Sequence, residues 1–479
     1  MIRKVVRRGL NLGLALFLAA LAAPSARAQG MFFQEVAKDG RIYVFNDAKR
    51  AEAFEKSGEM GSGITRLGAG PNGETVIADS EQALDLFFFK HGIPQAVERP
   101  APPVQRIEWR DGKTRFTLGK NFYLEMSNRI QPRFTYEMPD TNVKLANTEK
   151  AGDGKGSFRI RRAKFKLEGW FYKPELEFEV QLNWPDASTA QPNRFLEDAN
   201  IDWDISKKKT FRVRFGQFKA PYGRQQLTSS GAQQFVDRAI TDERYNPGRE
   251  TGVALWGTLG SNKLDWRVMA SNGNGRSQSA NDNSRFLLSG RLQYQLVGNT
   301  RMNQWGSGLL LTEGDLGDSA TGALFAIAGN FLRNDRSFVS ATATNNNDTQ
   351  YSGDYIFKYR NFSSLGEYHY RQTKPQNGTT GVVGSQFKDQ GYLLQASYAF
   401  KTNGLGLGSF VEIASRYARI DPTDAVANNN RTEVGGAVSY YYNKHNLKVQ
   451  ADYRQVKDEV KKAGEQKANE FRLQTQFVF

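Results

Sequence analysis

Leu176-Glu177-Phe178-Glu179-Val180-Gln181-Leu182-Asn183-Trp184 alternates apolar and polar side chains without a slip. In an extended chain successive side chains point to opposite faces, so this segment presents its apolar members on one face of a sheet and its polar members on the other. The stretch before it does the same, with Ala163, Phe165, Leu167, Gly169 and Phe171 against Arg162, Lys164, Lys166 and Glu168. So does the stretch after it, with Ala199, Ile201, Trp203 and Ile205 against Asn200, Asp202 and Asp204. About sixteen such runs follow one another, near 122–136, 157–171, 174–184, 195–205, 210–218, 250–259, 263–272, 285–296, 321–332, 350–360, 362–372, 387–400, 407–420, 431–442, 446–455 and 469–479.

A soluble sandwich alternates in this way, and so does a barrel with lipid outside and water inside. Three features separate them. Connections are short and long in turn: Tyr172-Lys173, then about ten residues; Ser206 to Lys209, then about thirty. Tight turns at one end and long loops at the other are the rhythm of a membrane barrel. The connection from 297 to 320 breaks it, being long where a short turn is due. Aromatics crowd strand ends (Phe171-Tyr172, Tyr398 and Phe400, Tyr440-Tyr441-Tyr442), as interfacial girdles require. The chain also alternates to its last residue, through Phe471-Arg472-Leu473-Gln474-Thr475-Gln476-Phe477-Val478-Phe479. The reading is an all-β, transmembrane antiparallel β-barrel of about sixteen strands over 115–479, closed between the run near 122–136 and the one ending at Phe479. Closure leaves no strand edge unpaired in lipid, and sixteen strands enclose a lumen wide enough for water.

The start of the chain fits export. Arg3, Lys4, Arg7 and Arg8 precede an apolar run from Leu10 to Ala23, and Pro24-Ser25-Ala26-Arg27-Ala28 follows with an A-x-A ending, so residues 1–28 read as a signal peptide. That run is too short for the roughly 20 residues of a spanning helix. Residues 29–91 read as a small α+β domain, expected on the periplasmic side. Gly40-Arg41-Ile42-Tyr43-Val44-Phe45 is a strand, Asn46 caps a helix from Asp47 to Lys56, and Gly58 stops it. Gly73-Glu74-Thr75-Val76-Ile77 repeats the strand, and Asp79 with Gln82 resembles a capping box before a helix ending at Lys90. The glycine-rich stretch 61–73 does not follow the strand-then-helix order of a phosphate loop and reads as a turn. Pro94, Pro100, Pro102 and Pro103 mark 92–114 as a Pro-rich linker.

Cysteine is absent, which excludes disulfides and thiolate chemistry, and neither a cofactor nor a metal is implied. The formal charge is +15, of which residues 1–28 contribute five bases and no acid, leaving about +10. In an exported chain this points away from nucleic acid and toward small anions, inorganic or organic, drawn by a positive field.

With apolar residues toward lipid, the polar phase faces the lumen. A two-residue turn at Tyr172-Lys173 sets Glu168 opposite Glu177, Lys166 opposite Glu179, Lys164 opposite Gln181 and Arg162 opposite Asn183. Lys166 then has an acid across the hairpin, while Lys164 and Arg162 have none. The next hairpin sets Asp204 against Arg212 and Asp202 against Arg214. What remains is a basic wall of Arg472, Arg129, Arg133, Arg162 and Lys164 on the closing, first and second strands, which favours anions over cations. Arginine's planar fork suits oxyanions, because it donates two hydrogen bonds at once. The longest loop, about 219–249, carries Lys219, Arg224, Arg238, Arg244 and Arg249 against Asp237, Asp242 and Glu243. In a wide barrel such a loop narrows the bore by folding inward.

Phe158-Arg159-Ile160-Arg161-Arg162-Ala163, Arg214-Phe215-Gly216-Gln217-Phe218-Lys219-Ala220-Pro221-Tyr222-Gly223, Thr228-Ser229-Ser230, Phe235-Val236-Asp237-Arg238 and Asn246-Pro247-Gly248-Arg249-Glu250-Thr251-Gly252-Val253 together resemble the phosphate-selective porin O and P family of Gram-negative outer membranes. The resemblance spans roughly 110–479. It implies sixteen-stranded homotrimers set in outer-membrane lipid and lipopolysaccharide, with the third loop inside the barrel and arginines along the path. The pair Arg161-Arg162 looks like the one that contributes to that arginine ladder. Passive diffusion of small anions is implied, with phosphate, pyrophosphate or polyphosphate leading. Phosphate-selective members place a Lys in the constriction loop near the Ser pair; here Gly231-Ala232-Gln233-Gln234 follows, which opens the reading to other anions.

Other classes fit less well. An outer-membrane enzyme needs Ser or an acid pair with His at the wall or rim. Of the three histidines, His91 ends the second helix, His445 sits in a short turn and His369 lies beside Glu367 on the lumenal phase. A sugar channel would set aromatics on the polar phase, and here they fall mostly on the apolar one. The alternatives are a non-selective general porin and a barrel that mainly tethers its N-terminal domain to a partner.

Overall fold

The computed structural model describes residues 32–93, 105–140, 148–186, 192–278, 280–298, 309–319, 322–335, 345–377, 381–382, 385–402, 409–459 and 467–479. The signal-peptide reading and the linker prolines lie outside these residues. The chain divides into two units, Met1–Ala101 and Pro102–Phe479.

In the first unit, β1 (Gln34–Lys38), β2 (Arg41–Phe45), α1 (Ala48–Ser57), β3 (Ile64–Arg66), β4 (Thr75–Ala78) and α2 (Glu81–Lys90) build a four-stranded sheet in the order β1-β2-β4-β3. β2 and β4 are parallel, and β1 and β3 are edge strands that the sequence reading lacked. Side chains alternate along β2, so Val44 joins Val76, Ala78, Leu84 and Phe87 beside α2, while Phe45 joins Ala51 and Phe54 beside α1. The two helices therefore cover opposite faces of the sheet.

Both helix caps sit one residue later than the sequence pattern suggests. Asp47, not Asn46, accepts from the Lys49 backbone N–H at 2.8 Å, and Ser80, not Asp79, accepts from that of Ala83 at 3.0 Å. The reason is that Asp79 is otherwise engaged. Its carboxylate, buried after β4, accepts from the backbone N–H groups of Asn46 and Asp47 at 3.2 Å and ties the ends of β2 and β4 together. Asp79→Ala should cost about 1–3 kcal/mol by stranding those donors, against about 1 kcal/mol for loss of the Asp47 cap. Amide hydrogen exchange at Asn46 and Asp47 distinguishes the two variants.

In the second unit a hairpin, β5 (Gln105–Arg110) and β6 (Lys113–Leu118), begins inside the stretch read as linker. After it come β7 (Phe122–Pro139), β8 (Lys155–Phe171), β9 (Leu176–Asn183), β10 (Leu196–Asp204), β11 (Arg212–Lys219), β12 (Arg249–Leu259), β13 (Leu264–Ser271), β14 (Leu287–Val297), β15 (Leu324–Asn334), β16 (Asn345–Tyr359) and β17 (Phe362–Asn377). A two-residue annex of β17, β18 (Gly381–Val382), precedes β19 (Phe387–Lys401), β20 (Phe410–Asp421), β21 (Arg431–Asn443), β22 (Leu447–Asp458) and β23 (Lys467–Val478). Sixteen long strands, β7 to β17 and β19 to β23, close antiparallel into a barrel, with β23 paired to β7. At the seam the Phe479 N–H donates to the Asn128 carbonyl at 3.1 Å and receives the reciprocal bond at 2.7 Å. β7 runs on past the end of β23, and β6 covers that open edge, pairing Thr114 with Met126 through Leu118 with Phe122. An uncovered edge would leave backbone groups without partners.

Outward residues such as Leu394, Tyr398, Ile413 and Val438 are exposed, as a lipid-facing phase requires. The lumen is not hollow. The β11–β12 connection, residues 220–248, folds into it and carries α3 (Arg224–Leu227) and α4 (Ile240–Tyr245). Residues 309–319 of the β14–β15 connection reach it from the opposite end, which accounts for the long segment where a short turn was due. Tyr222, Ile240, Tyr245 and Leu310 of these two segments pack with Leu332, Ile356, Leu365, Leu393 and Ile420 of the wall. The lumenal phase of β14 to β22 is thus partly apolar, because it serves as the floor of a second core.

Candidate functional site

A loop inside a barrel must find acceptors for its backbone N–H groups. Glu367 accepts from Gln225 at 2.8 Å, Glu313 from Gln234 at 3.0 Å, Asp452 from Val236 at 2.9 Å and Glu433 from Ile240 at 2.8 Å. Side chains complete the seat. Arg224 donates to Asp354 at 2.9 Å and to Gln293 at 2.9 Å, and Arg244 donates to Asp389 at 2.8 Å. Arg224 and Arg244 are therefore anchors to the wall; Arg224 is fully buried, whereas Arg244 also borders a smaller cavity of about 440 Å³ with Glu243 and Arg431. Asp354, Glu367, Asp389, Glu433 and Asp452 of the wall are thus engaged behind the loop.

Asp237 pins the loop's other flank. Arg133 donates to it at 2.5 Å, with Arg162 and Arg472 at 3.5 Å and Arg161 at 3.7 Å. Burial alone would raise this carboxyl, but the surrounding arginines, Arg133 first, hold it well below the usual carboxylate range. Arg472 also grips Asp452 at 2.7 Å, and the Arg133 side chain is fully buried. Arg133 and Arg472 point inward, as their strand phase predicts, yet they face the loop and not the cavity.

The larger of two described cavities that the inward segments leave open measures about 860 Å³ and runs along β7 to β13. Twelve lysines and arginines line it, against four aspartates and glutamates. Arg129, Arg162 and Lys164 of the predicted wall are there, with Arg161 of the pair singled out by the resemblance and Lys219, Arg238 and Arg249 of the long-loop bases. The other five bases are Lys113, Lys166, Arg214, Arg267 and Arg276. Lys113 comes from the hairpin β5–β6 and bonds Glu168 at 3.1 Å; nothing in a linker reading could have placed it.

Two β-bulges shape the lining. Between β7 and β8, Gln131 pairs with Arg162 and Pro132 with Ile160, which leaves Arg161 as the extra residue. Adjacent arginines both enter the cavity, and beyond the bulge Phe158 and Ile160 turn outward and are exposed. Pro132, with no N–H for the ladder, is the signal that could have foretold the bulge. A second bulge between β9 and β10 leaves Glu197 extra beside Asp198 and turns both acids into the cavity.

The β8–β9 register differs from the expected one by two residues, with Lys164 opposite Asn183, Lys166 opposite Gln181 and Glu168 opposite Glu179. The connection is four residues, 172–175, since Pro174 cannot donate to a ladder and stays in the turn. Lys166 still reaches Glu179, at 3.1 Å, and also contacts Glu168. Lys164 is not left without an acid, because Glu197 on β10 contacts it. Arg249 in turn bonds Asp198 at 2.8 Å and Glu197 at 3.2 Å. The next hairpin has the expected register, Asp202 opposite Arg214 and Asp204 opposite Arg212. Arg212 and Arg214 both bond Asp202 at 2.7 Å.

Against this background two cations stand apart. Arg129 donates to the hydroxyls of Ser229 and Ser230 at 3.1 Å each, and Lys219 to the carbonyls of Leu227 and Thr228 at 3.2 Å each. Among the described residues neither has a carboxylate in ion-pair contact, so the direct partners of both are neutral oxygen atoms. Arg238 joins them, donating to Thr228 at 2.8 Å with Asp242 at 3.7 Å. His369 stacks on Tyr245 with ring centroids 4.8 Å apart and sits 3.4 Å from Glu367, in the seat of the loop.

The family described as phosphate-selective porin O and P matches residues 136–479. Among solved structures the fold is similar to an anion-selective porin from Comamonas acidovorans, at 10% identity over 75% of this chain and 100% of that one, TM-score 0.49. It is similar to the outer membrane channel DcaP of Acinetobacter baumannii, at 12% identity over 75% and 98%, TM-score 0.47. It is also similar to the outer-membrane OmpT of Vibrio cholerae, at 11% identity over 78% and 100%, TM-score 0.46. No curated protein sequence matches the chain.

Proposed function

Because the chain belongs to the phosphate-selective porin O and P family and is an outer-membrane porin, we propose that it passes small anions, phosphate, pyrophosphate or polyphosphate foremost, through the basic cavity. The observation that carries this reading is the excess of eight positive charges on the cavity lining. Such a lining concentrates anions and repels cations in a confined, partly desolvated bore. Arg129 and Lys219 are the groups best placed to meet a passing oxyanion, since each can exchange its neutral oxygen partners for a charged one. In this reading Lys219 supplies from the wall the ammonium that the sequence after Ser230 lacks.

In a planar bilayer under a KCl gradient the reversal potential should report anion preference. The preference should be largest in dilute salt and shrink as the Debye length falls from about 10 Å at 0.1 M to about 3 Å at 1 M. Millimolar inorganic phosphate should block the chloride current. A cation-preferring or indifferent pore ends the proposal. The same proposal has the porin as a homotrimer in outer-membrane lipid and lipopolysaccharide, with residues 29–91 as a periplasmic module after a cleaved signal. Crosslinking in detergent that yields only monomer removes the trimer. Deleting 29–91 should leave conduction intact, and a truncated barrel that fails to conduct makes the module part of the pore.

A further inference from the structure

We infer that residues 309–319 are a second constriction element, and that Glu313 is the positioning residue through which it holds the loop 220–248 at its working depth. The inference rests on the cavity being the path. The β14–β15 connection spans 298–323, whereas every other connection between long strands at that end of the barrel has eight residues or fewer. Its described part is built in. The Glu313 N–H donates to the Ala232 carbonyl at 2.9 Å, while its carboxylate accepts from the Gln234 N–H at 3.0 Å, from the Gln225 side chain at 3.3 Å and from the Gln395 side chain of β19 at 2.9 Å. One buried carboxylate thus joins the long loop, the segment and the wall. Among the described residues it has no base in ion-pair contact, so N–H donors alone meet its charge, and losing them would leave a costly buried anion.

The segment is itself fastened from the other side. Asp315 accepts from the Asn361 N–H in the β16–β17 turn at 2.8 Å, and Asp318 bonds Lys358 at 3.0 Å. Leu316 packs against Ala399, Phe410 and Tyr441. Leu311 and Thr312 border the cavity, so the segment is one of its walls. It therefore confines solutes to the arginine-bearing side of the bore in two ways: it fills the opposite side, and it braces the loop.

The test uses the full chain in planar bilayers, with three variants: Glu313→Ala, Glu313→Gln, and replacement of 299–322 by a short turn. Glu313→Ala should raise single-channel conductance about two-fold or more, admit larger uncharged polyethylene glycols, and weaken charge selectivity, because a path away from the bases opens. Glu313→Gln keeps a carbonyl acceptor and should restore the parent values. The loop replacement should exceed Glu313→Ala. Unchanged conductance and polymer cut-off in Glu313→Ala, with parental heat-modifiable migration, overturns the inference even if the replacement fails to fold. The polymer cut-off is read with uncharged probes. A wider cut-off in a pore that shows no anion preference would support this inference while refuting the anion reading.

Discussion

Arg129→Glu combined with Lys219→Glu should sharply weaken the anion preference of the pore, since it cuts the excess of positive charge on the cavity lining from eight to four. A unit charge about 4 Å from a permeating anion is worth roughly 1 kcal/mol even at the dielectric of bulk water, and more beside a protein wall. Reversing one charge therefore shifts the anion's energy by about 2 kcal/mol or more, on the order of thirty-fold in its local occupancy. The reversal potential in dilute salt should move most of the way toward zero, and 1 M salt should mask much of the shift. The neutral variants sharpen the assignment. Arg129→Gln, Lys164→Gln and Lys166→Gln each remove one formal charge, so all three weaken the field alike. Only Arg129 offers a guanidinium fork without a carboxylate on it, whereas Glu197 contacts Lys164, and Glu168 and Glu179 contact Lys166. Phosphate block should therefore fall most in Arg129→Gln and about equally little in the two lysine variants. Equal loss of block in all three would mean that anions are held by the field alone and not by direct coordination.

Asp237→Ala should be the most damaging single change in the loop. It removes the shared partner of Arg133, Arg161, Arg162 and Arg472, and Arg133 is fully buried. Stranding a buried ion-pair partner costs about 3–5 kcal/mol. Arg472 keeps Asp452 and Arg162 keeps the Gln131 carbonyl at 3.0 Å, so the wall should stay folded while the loop comes loose. The expected readings are a lower temperature for the heat-modifiable transition and a noisier open current, with Asp237→Asn intermediate because its carbonyl still accepts from Arg133. A quiet, parental current from Asp237→Ala would show that the carboxylates seating the backbone of 225–240 suffice without this clamp.

The strands were legible in the sequence by itself, and the reason is local. Lipid outside and water or loop inside oblige each strand to alternate whatever its neighbours do, so each of the sixteen runs overlaps a strand. The inward phase of Arg129, Arg133, Lys164 and Arg472 followed from the same alternation. Register did not follow. A slip of two residues in β8–β9 keeps every side chain on its face, so alternation cannot detect it, and only the four-residue turn around Pro174 decides it. Arg161 entered the cavity through a bulge at Pro132, a break in period that a strict alternation hides.

What each inward charge does was decided by the tertiary structure alone. Arg133 and Arg129 are four residues apart on one strand and share a phase. Yet Arg133 holds Asp237, 104 positions along the chain, while Arg129 faces the cavity beside Ser229 and Ser230. The apolar residues on the lumenal phase, among them Ile356, Leu365, Leu393 and Ile420, hinted that the barrel is filled on that side. Which segments fill it, and which bases they leave uncovered, depends on contacts between chain positions far apart, and strand periodicity carries no information about those.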